Sequence, residues 1–151
     1  MIFVNFNWVG LAEATAKVKL RGVFMAKKRV FVSFDFDNDA FLRDSLVGQS
    51  KLGDSPFEIE DWSVKEPWDQ NSWKEKCLTK IKRTDLVIVM VGTKTSQCSG
   101  VKAEIKMAKE AGVPVVGIQG YKDKTCPKPD GLEGYYSWTW DNIKNLVNGS
   151  R

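Results

Sequence analysis

The stretch "DLVIVMVGTKTSQCSGVKAEIKMAKEAGVPVVGI", residues 85–118, decides the fold. Its opening, "DLVIVMVG" (85–92), is an unbroken aliphatic and β-branched run with no polar residue at alternate positions. A strand of this kind has no wet face, so it belongs at the centre of a parallel sheet covered on both sides. The segment "SGVKAEIKMAKEAG" (99–112) then switches to helical spacing. At about 100° per residue, Val101, Ile105, Met107, Ala108 and Ala111 share one arc, and Lys102, Lys106, Lys109 and Glu110 the other. Gly112 and Pro114 end that helix, and "VPVVGIQG" (113–120) returns to strand. Glu104 falls in the middle of the apolar arc. An unpaired carboxylate there costs on the order of several kcal/mol unless it is hydrogen-bonded, ion-paired or protonated.

Outward from this unit the alternation continues. "RVFVSF" (29–34) reads as a buried strand, and "DNDAFLRDSLVGQSK" (37–51) as a helix capped by Asp37 or Asn38. "FEIEDW" (57–62) reads as a second strand, and "WDQNSWKEKCLTKIKRT" (68–84) as a helix with a stripe of Trp73, Cys77 and Ile81. A Gly/Pro loop (120–134) precedes a closing helix, "TWDNIKNLVNG" (139–149). Strands alternating with helices of this length predict a doubly wound, flavodoxin-like parallel sheet in a single α/β domain, with strand order 2-1-3-4 and an irregular fifth edge. Ligands in such sheets bind beyond the carboxyl ends of the strands, here the loops after residues 34, 62, 92 and 118.

Residues 1–24 read as an N-terminal extension to a domain spanning 25–151. "MIFVNFNWVG" (1–10) alternates like a strand, and "LAEATAKVKL" (11–20) has the look of a short helix. Arg21-Gly22 can be encoded as a ribosome-binding-like sequence just ahead of the Met25 codon. The expectation is therefore a start at Met25, against the alternative of an ordinary extra element packed on the domain.

The totals remove whole classes of chemistry. The 151 residues contain no histidine, which excludes His-ligated zinc, Ser-His and Cys-His nucleophile pairs and any imidazole base. Lys and Arg are interspersed with Asp and Glu for a net charge of +4, a mixed solvated surface rather than a nucleic-acid face. There is no apolar run long enough to span a membrane. Cys77, Cys98 and Cys126 are odd in number and form no C-x-x-C pair, which points to a reducing, cytoplasmic setting.

Four candidates gather on the rim. "SFDFDND" (33–39) has the D-x-D-x-D opening of a calcium loop, but Ala40 and Leu46 stand where that loop needs Gly and Glu, so no metal is expected. The remaining choice for these acids is helix capping or a ligand loop. "VGTKTSQCSG" (91–100) is a small, hydroxyl-rich loop leading into a helix, neither a Walker nor a Rossmann loop. Trp62, directly after a strand, can stack on a base or pack its own loop. Glu104 is either a functional carboxylate or a structural one, capping backbone N–H groups or paired with an arginine such as Arg43.

Together, "KKRVFVSFDFDND", "SPFEIEDWSVKEPW", "DLVIVMVGTKTSQCSGVKAEIKMAKEAGVPVVGI" and "SWTWDNIK" resemble the TIR-like proteins that include the TIR component of Thoeris antiphage defence. The resemblance runs from about Met25 to Ile143, and the V-x-V-G-x-x-T … V-x-x-E-I run from Val89 to Ile105 is its most specific part. It implies a flavodoxin-like TIR fold. For active members it implies cleavage of the nicotinamide–ribose bond of NAD, often with cyclisation or transfer of the ADP-ribose. NAD enters as substrate, and no cofactor is implied.

By the same resemblance Glu104 is the catalytic glutamate, Ser33 and Phe34 wall the nucleotide pocket after the first strand, and Thr93 begins the phosphate-side loop. Trp62 matches a tryptophan after the second strand. Asp35 stands where relatives carry other polar residues. Gly100 replaces the aromatic that many relatives place before V-x-x-E.

The resemblance further implies a defence enzyme silent until triggered by self-assembly or a phage component. It would signal to a separate effector through a diffusible nucleotide, with no nucleic-acid or membrane partner. Two alternatives stand beside it. One is a catalytically idle TIR-like interaction module. The other is an enzyme like the nucleoside deoxyribosyltransferases, with a glutamate nucleophile acting on a deoxyribose.

Overall fold

The computed structural model describes residues 17–20, 23–60 and 70–149. Its strands are β1 (Lys17–Leu20), β2 (Val23–Ala26), β3 (Lys28–Phe34), β4 (Phe57–Ile59), β5 (Leu86–Val91), β6 (Val115–Gln119) and β7 (Tyr135–Ser137). Its helices are α1 (Ala40–Ser50), α2 (Gln70–Lys82), α3 (Ser99–Glu110) and α4 (Trp140–Val147). Five strands form one sheet in the order β4-β3-β5-β6-β7, every pairing parallel. In order of appearance this is 2-1-3-4-5. The expected irregular edge is the short strand β7, in register with β6 from Gly117↔Tyr135 to Gln119↔Ser137.

β5 lies in the middle, and all six of its residues are buried. Its side chains alternate between two cores, as the period of a strand requires. Leu86, Ile88 and Met90 join Val30, Val32, Phe57, Leu42 and Leu46 of α1, and Ile143, Leu146 and Val147 of α4. Val87, Val89 and Val91 join Phe31, Cys77 and Ile81 of α2, and Val101, Ile105, Met107 and Ala108 of α3. Thus α1 and α4 cover one face, and α2 and α3 the other.

Local chemistry sets the helix ends. Helix α3 stops where Gly112 adopts φ +73°, a conformation that costs a side-chain-bearing residue far more than glycine. The Gly112 N–H then bonds to the Lys109 carbonyl at 3.2 Å and the Val113 N–H to that of Ala108 at 2.9 Å, a Schellman pair that satisfies the last turn. Helix α4 is capped by Thr139, whose hydroxyl accepts from the Asn142 N–H at 3.1 Å.

Two local expectations fail. Helix α1 is entered through Asp39, not Asp37 or Asn38, and the Asp39 carboxylate caps no backbone N–H of α1. The expected helix over 11–20 gives way at its described end: Lys17–Leu20 pairs antiparallel with Val23–Ala26, from Lys17↔Ala26 to Leu20↔Val23. Lys-Val-Lys-Leu alternates with period two, a strand pattern that proved stronger than the helical propensity around it. The rest of the expected helix, and the expected strand over 1–10, lie outside the described residues.

Replacing Thr139 with Ala leaves the first turn of α4 uncapped. Urea denaturation should show a loss of about 1 kcal/mol, most of it restored by Thr139→Asp.

Candidate functional site

Ser33 lies one residue from the carboxyl end of β3, opposite Val89 of β5, and faces the α2/α3 layer. Glu104 sits in the second turn of α3 and is buried, with 7% of its surface exposed. The Ser33 hydroxyl donates to Glu104 Oε1 at 2.5 Å. From α2, the Cys77 thiol donates to Glu104 Oε2 at 3.4 Å. Strand and two helices thus converge on one carboxylate. The arginine offered as a structural partner goes elsewhere, since Arg43 pairs with Asp44 at 2.9 Å. Among the described residues no lysine or arginine pairs with Glu104.

These surroundings act on the charge of Glu104 in opposite directions. Burial disfavours the anion and dominates, while the Ser33 hydroxyl and then the Cys77 thiol favour it. The net result lifts the carboxyl from 4.5 to about 7. Cys77, itself buried and beside that carboxylate, is pushed well above the ordinary thiol range and stays protonated. Near neutral pH the site therefore holds a carboxylate that exchanges its charge easily, in a place from which water is largely excluded.

The other predicted positions separate. Phe34, the next residue along β3, packs against the core of the opposite face, beside α1 and α4. Asp35 is buried, and its carboxylate builds the following turn: Asp37 N–H donates to Oδ1 at 3.1 Å and Asn38 Nδ2 to Oδ2 at 2.7 Å. Thr93 is exposed. Trp62 lies outside the described residues. Gly100, two residues after Cys98, occupies the second position of α3 and meets no neighbour that a Cβ would crowd.

The structure adds a polar group at the rim that sequence reasoning missed. Asp39, after β3, and Thr95, after β5, are both buried. The Thr95 hydroxyl donates to Asp39 Oδ2 at 3.1 Å and accepts from the Gly92 N–H at 2.7 Å, and the Tyr121 hydroxyl donates to Asp39 Oδ1 at 3.3 Å. The loops after β3, β5 and β6 are laced together here. A Cβ on Gly92 would fall on the Asp39 carboxylate, so glycine is required for the approach. The D-x-D-x-D run does carry a signal for Asp39, but spacing alone cannot separate a rim tie from a solvated acid.

A second missed carboxylate, Glu60, follows β4. It is buried and paired with Arg29 at 2.6 Å, with Lys80 and Arg83 at 3.8 and 4.0 Å. This fixes the end of β4 immediately before the segment that carries Trp62. Among the described residues no cluster of Cys, Asp or Glu has the makings of a metal site. No helix among them is long and apolar enough to cross a membrane.

Residues 31–125 match the family described as Thoeris protein ThsB, TIR-like domain. The match spans well over half of the chain, and the chain belongs to that family. No curated protein matches the sequence. Among solved structures, a conserved protein from Enterococcus faecalis V583 superposes with TM-score 0.57 at 14% identity, over 82% of this chain and 98% of its own. A 2-desoxiribosyltransferase from Leishmania mexicana superposes with TM-score 0.52 at 12% identity, over 82% and 99%. A prokaryotic SEFIR domain superposes with TM-score 0.50 at 17% identity, over 81% and 97%. At these identities the likeness is one of fold.

Two outcomes test the site. Because the folded carboxyl binds its proton more tightly than the unfolded one, the wild-type fold loses stability as pH rises from 4.5 to about 7. The loss is about 3 kcal/mol at most, by the standard conversion of pKa into free energy. Glu104→Gln removes it, so the variant should melt above wild type at pH 8 and near it at pH 4.5. Gly92→Ala expels the Asp39 carboxylate and should destabilise by roughly 1–3 kcal/mol in chemical denaturation.

Proposed function

We propose that this member of the ThsB TIR-like family cleaves the nicotinamide–ribose bond of NAD and passes on the ADP-ribose part as a cyclic or conjugated signal in antiphage defence. The observation that carries the reading is Glu104: a buried carboxylate, without a cationic partner among the described residues, beside the carboxyl end of β3. A purely structural acid would be better replaced by an apolar residue, because its burial raises the energy of the fold.

The chemistry suits a chain with no histidine. Nicotinamide in NAD is already cationic, so the bond pair that it takes on leaving makes it a neutral base, and no strong acid is needed. The ribose left behind approaches an oxocarbenium ion, as in other glycoside cleavage. A nearby carboxylate stabilises that developing charge, and more strongly where water is excluded. Ser33 holds Glu104 Oε1 and fixes the direction of the group. The carbon that loses nicotinamide is then attacked by water, by an atom of the same nucleotide or by a second acceptor. These yield ADP-ribose, a cyclic isomer or a conjugate respectively. A diffusible product of this kind would reach a separate effector. Silence before infection, relieved by assembly of copies or by a phage component, would protect the cell's own NAD.

Concentrated protein incubated with NAD, alone and with infected-cell lysate, should release nicotinamide, and the mass of the other product identifies its class. The rate should rise with pH through about 7 and then level, as Glu104 ionises. Glu104→Gln should lower it roughly a hundredfold or more while the fold is kept. A variant that turns over NAD like wild type overturns the mechanism. No release under either condition favours an interaction module. Base release from deoxynucleosides with NAD untouched favours a deoxyribosyltransferase.

A further inference from the structure

We propose that Cys77 is a positioning residue for Glu104: its thiol holds Oε2 from α2 and, as a weak donor, leaves the carboxylate less stabilised as an anion than a hydroxyl would. The inference rests on the reading of Glu104 as the functional carboxylate, and it concerns how that group's charge is set.

The geometry is unequal on the two sides. Ser33 Oγ lies 2.5 Å from Oε1, a short hydrogen bond from a strong donor. Cys77 Sγ lies 3.4 Å from Oε2, an S–H donor that is weak by nature. Cys77 is fully buried, so water does not compete for that carboxylate oxygen from its side. The thiol cannot exchange its role with the acid, because burial and then the Glu104 charge keep it protonated far above neutral pH.

Nothing else described nearby duplicates this control. On this face β5 offers Val87, Val89 and Val91, and β3 offers Phe31 beside Ser33. Helix α2 adds Ile81 next to Cys77, and the α3 neighbours on the buried side are Val101, Ile105 and Ala108. The lysines of α3, Lys102, Lys106 and Lys109, are exposed on its far side. Cys98, at the start of α3, packs against the same core, and among the described residues Cys77 is the titratable group whose side chain bonds to Glu104. A serine there would be expected to pull the charge equilibrium towards the anion, and an alanine to push it away.

The test is a titration of the full chain labelled with carboxyl-¹³C glutamate, without NAD. The Glu104 signal is assigned by its loss in Glu104→Gln. Cys77→Ala should move the Glu104 midpoint upward and Cys77→Ser downward, each by about half a pH unit or more, a roughly threefold change in the ionised fraction on the acid side. Both variants moving the same way, or neither moving by more than about 0.2 units, overturns the proposal. If the alanine variant fails to fold, the near-isosteric serine variant still decides, since only a downward shift supports the inference. In turnover assays the pH profile should shift with the titration. A chain that never cleaves NAD but shows both shifts would refute the proposed function and keep the role of Cys77.

Discussion

Burial of β5 on both faces is the constraint from which the architecture follows. A strand without a wet side needs hydrogen-bonded neighbours along both edges and helices above and below. The chain supplies β3 and β6 as neighbours, α1 and α4 for one face, and α2 and α3 for the other. Chain direction does the rest. The first crossover runs outward from β3 to β4 and the second returns past β3 to β5, so α1 and α2 are forced onto opposite faces by the handedness of βαβ units. The order therefore reverses between β3 and β5, and the loops leaving those two strands part there. Ser33 and Asp39 sit on one side of that parting, and Thr95 and Glu104 on the other.

Two carboxylates meet this place and are treated in opposite ways. Asp39 receives two hydroxyl donors and ties three loops. Glu104 receives one strong donor and one weak one and sits in an apolar layer. The first arrangement spends its hydrogen bonds on rigidity at the rim. The second leaves an acid whose burial outweighs its hydrogen bonds, which is what lifts its ionisation to about 7. Rigid loops and a poised acid belong together: a carboxylate acts on a developing charge only if its surroundings do not have to reorganise as that charge appears.

Most of the fold was legible because its signals are periodic. The β5 run, the two-faced α3 and the Trp73-Cys77-Ile81 stripe each report which side is buried, and burial alone orders the layers. Glu104 was legible for the same reason, as a violation of the α3 pattern. What periodicity cannot report is the identity of a partner far along the chain. Cys77 reads correctly as a core position, yet its bond to Glu104 joins residues 27 apart in sequence on two different helices. The cap of α1 was misread because Asp37, Asn38 and Asp39 are equally good capping residues in isolation. Tertiary partners chose among them, with Thr95 and Tyr121 drawing Asp39 inward. The Lys17–Leu20 strand was hidden because its alternation is short, four residues paired, among the described residues, only with Val23–Ala26.

The absence of histidine narrows the chemistry more than any motif. Reactions that need a proton delivered and removed near neutral pH usually rely on imidazole. This chain has instead a carboxyl raised into the same range by burial. A group so placed could serve as a general acid, as a base or as a fixed charge, and the nature of the leaving group selects among these roles. A neutral leaving group such as a deoxynucleoside base needs a proton from another donor if Glu104 itself attacks the sugar, because only the ionised carboxylate is a nucleophile. A cationic leaving group such as nicotinamide needs no proton, and what remains to be stabilised is positive charge on the sugar, which only the ionised form can provide. Both chemistries thus use the ionised carboxylate, and they differ in whether a second group must supply a proton to the leaving group. A rate that rises with pH through about 7 and then levels fits nicotinamide release, whereas a further fall on the alkaline side marks the proton donor that a neutral base needs.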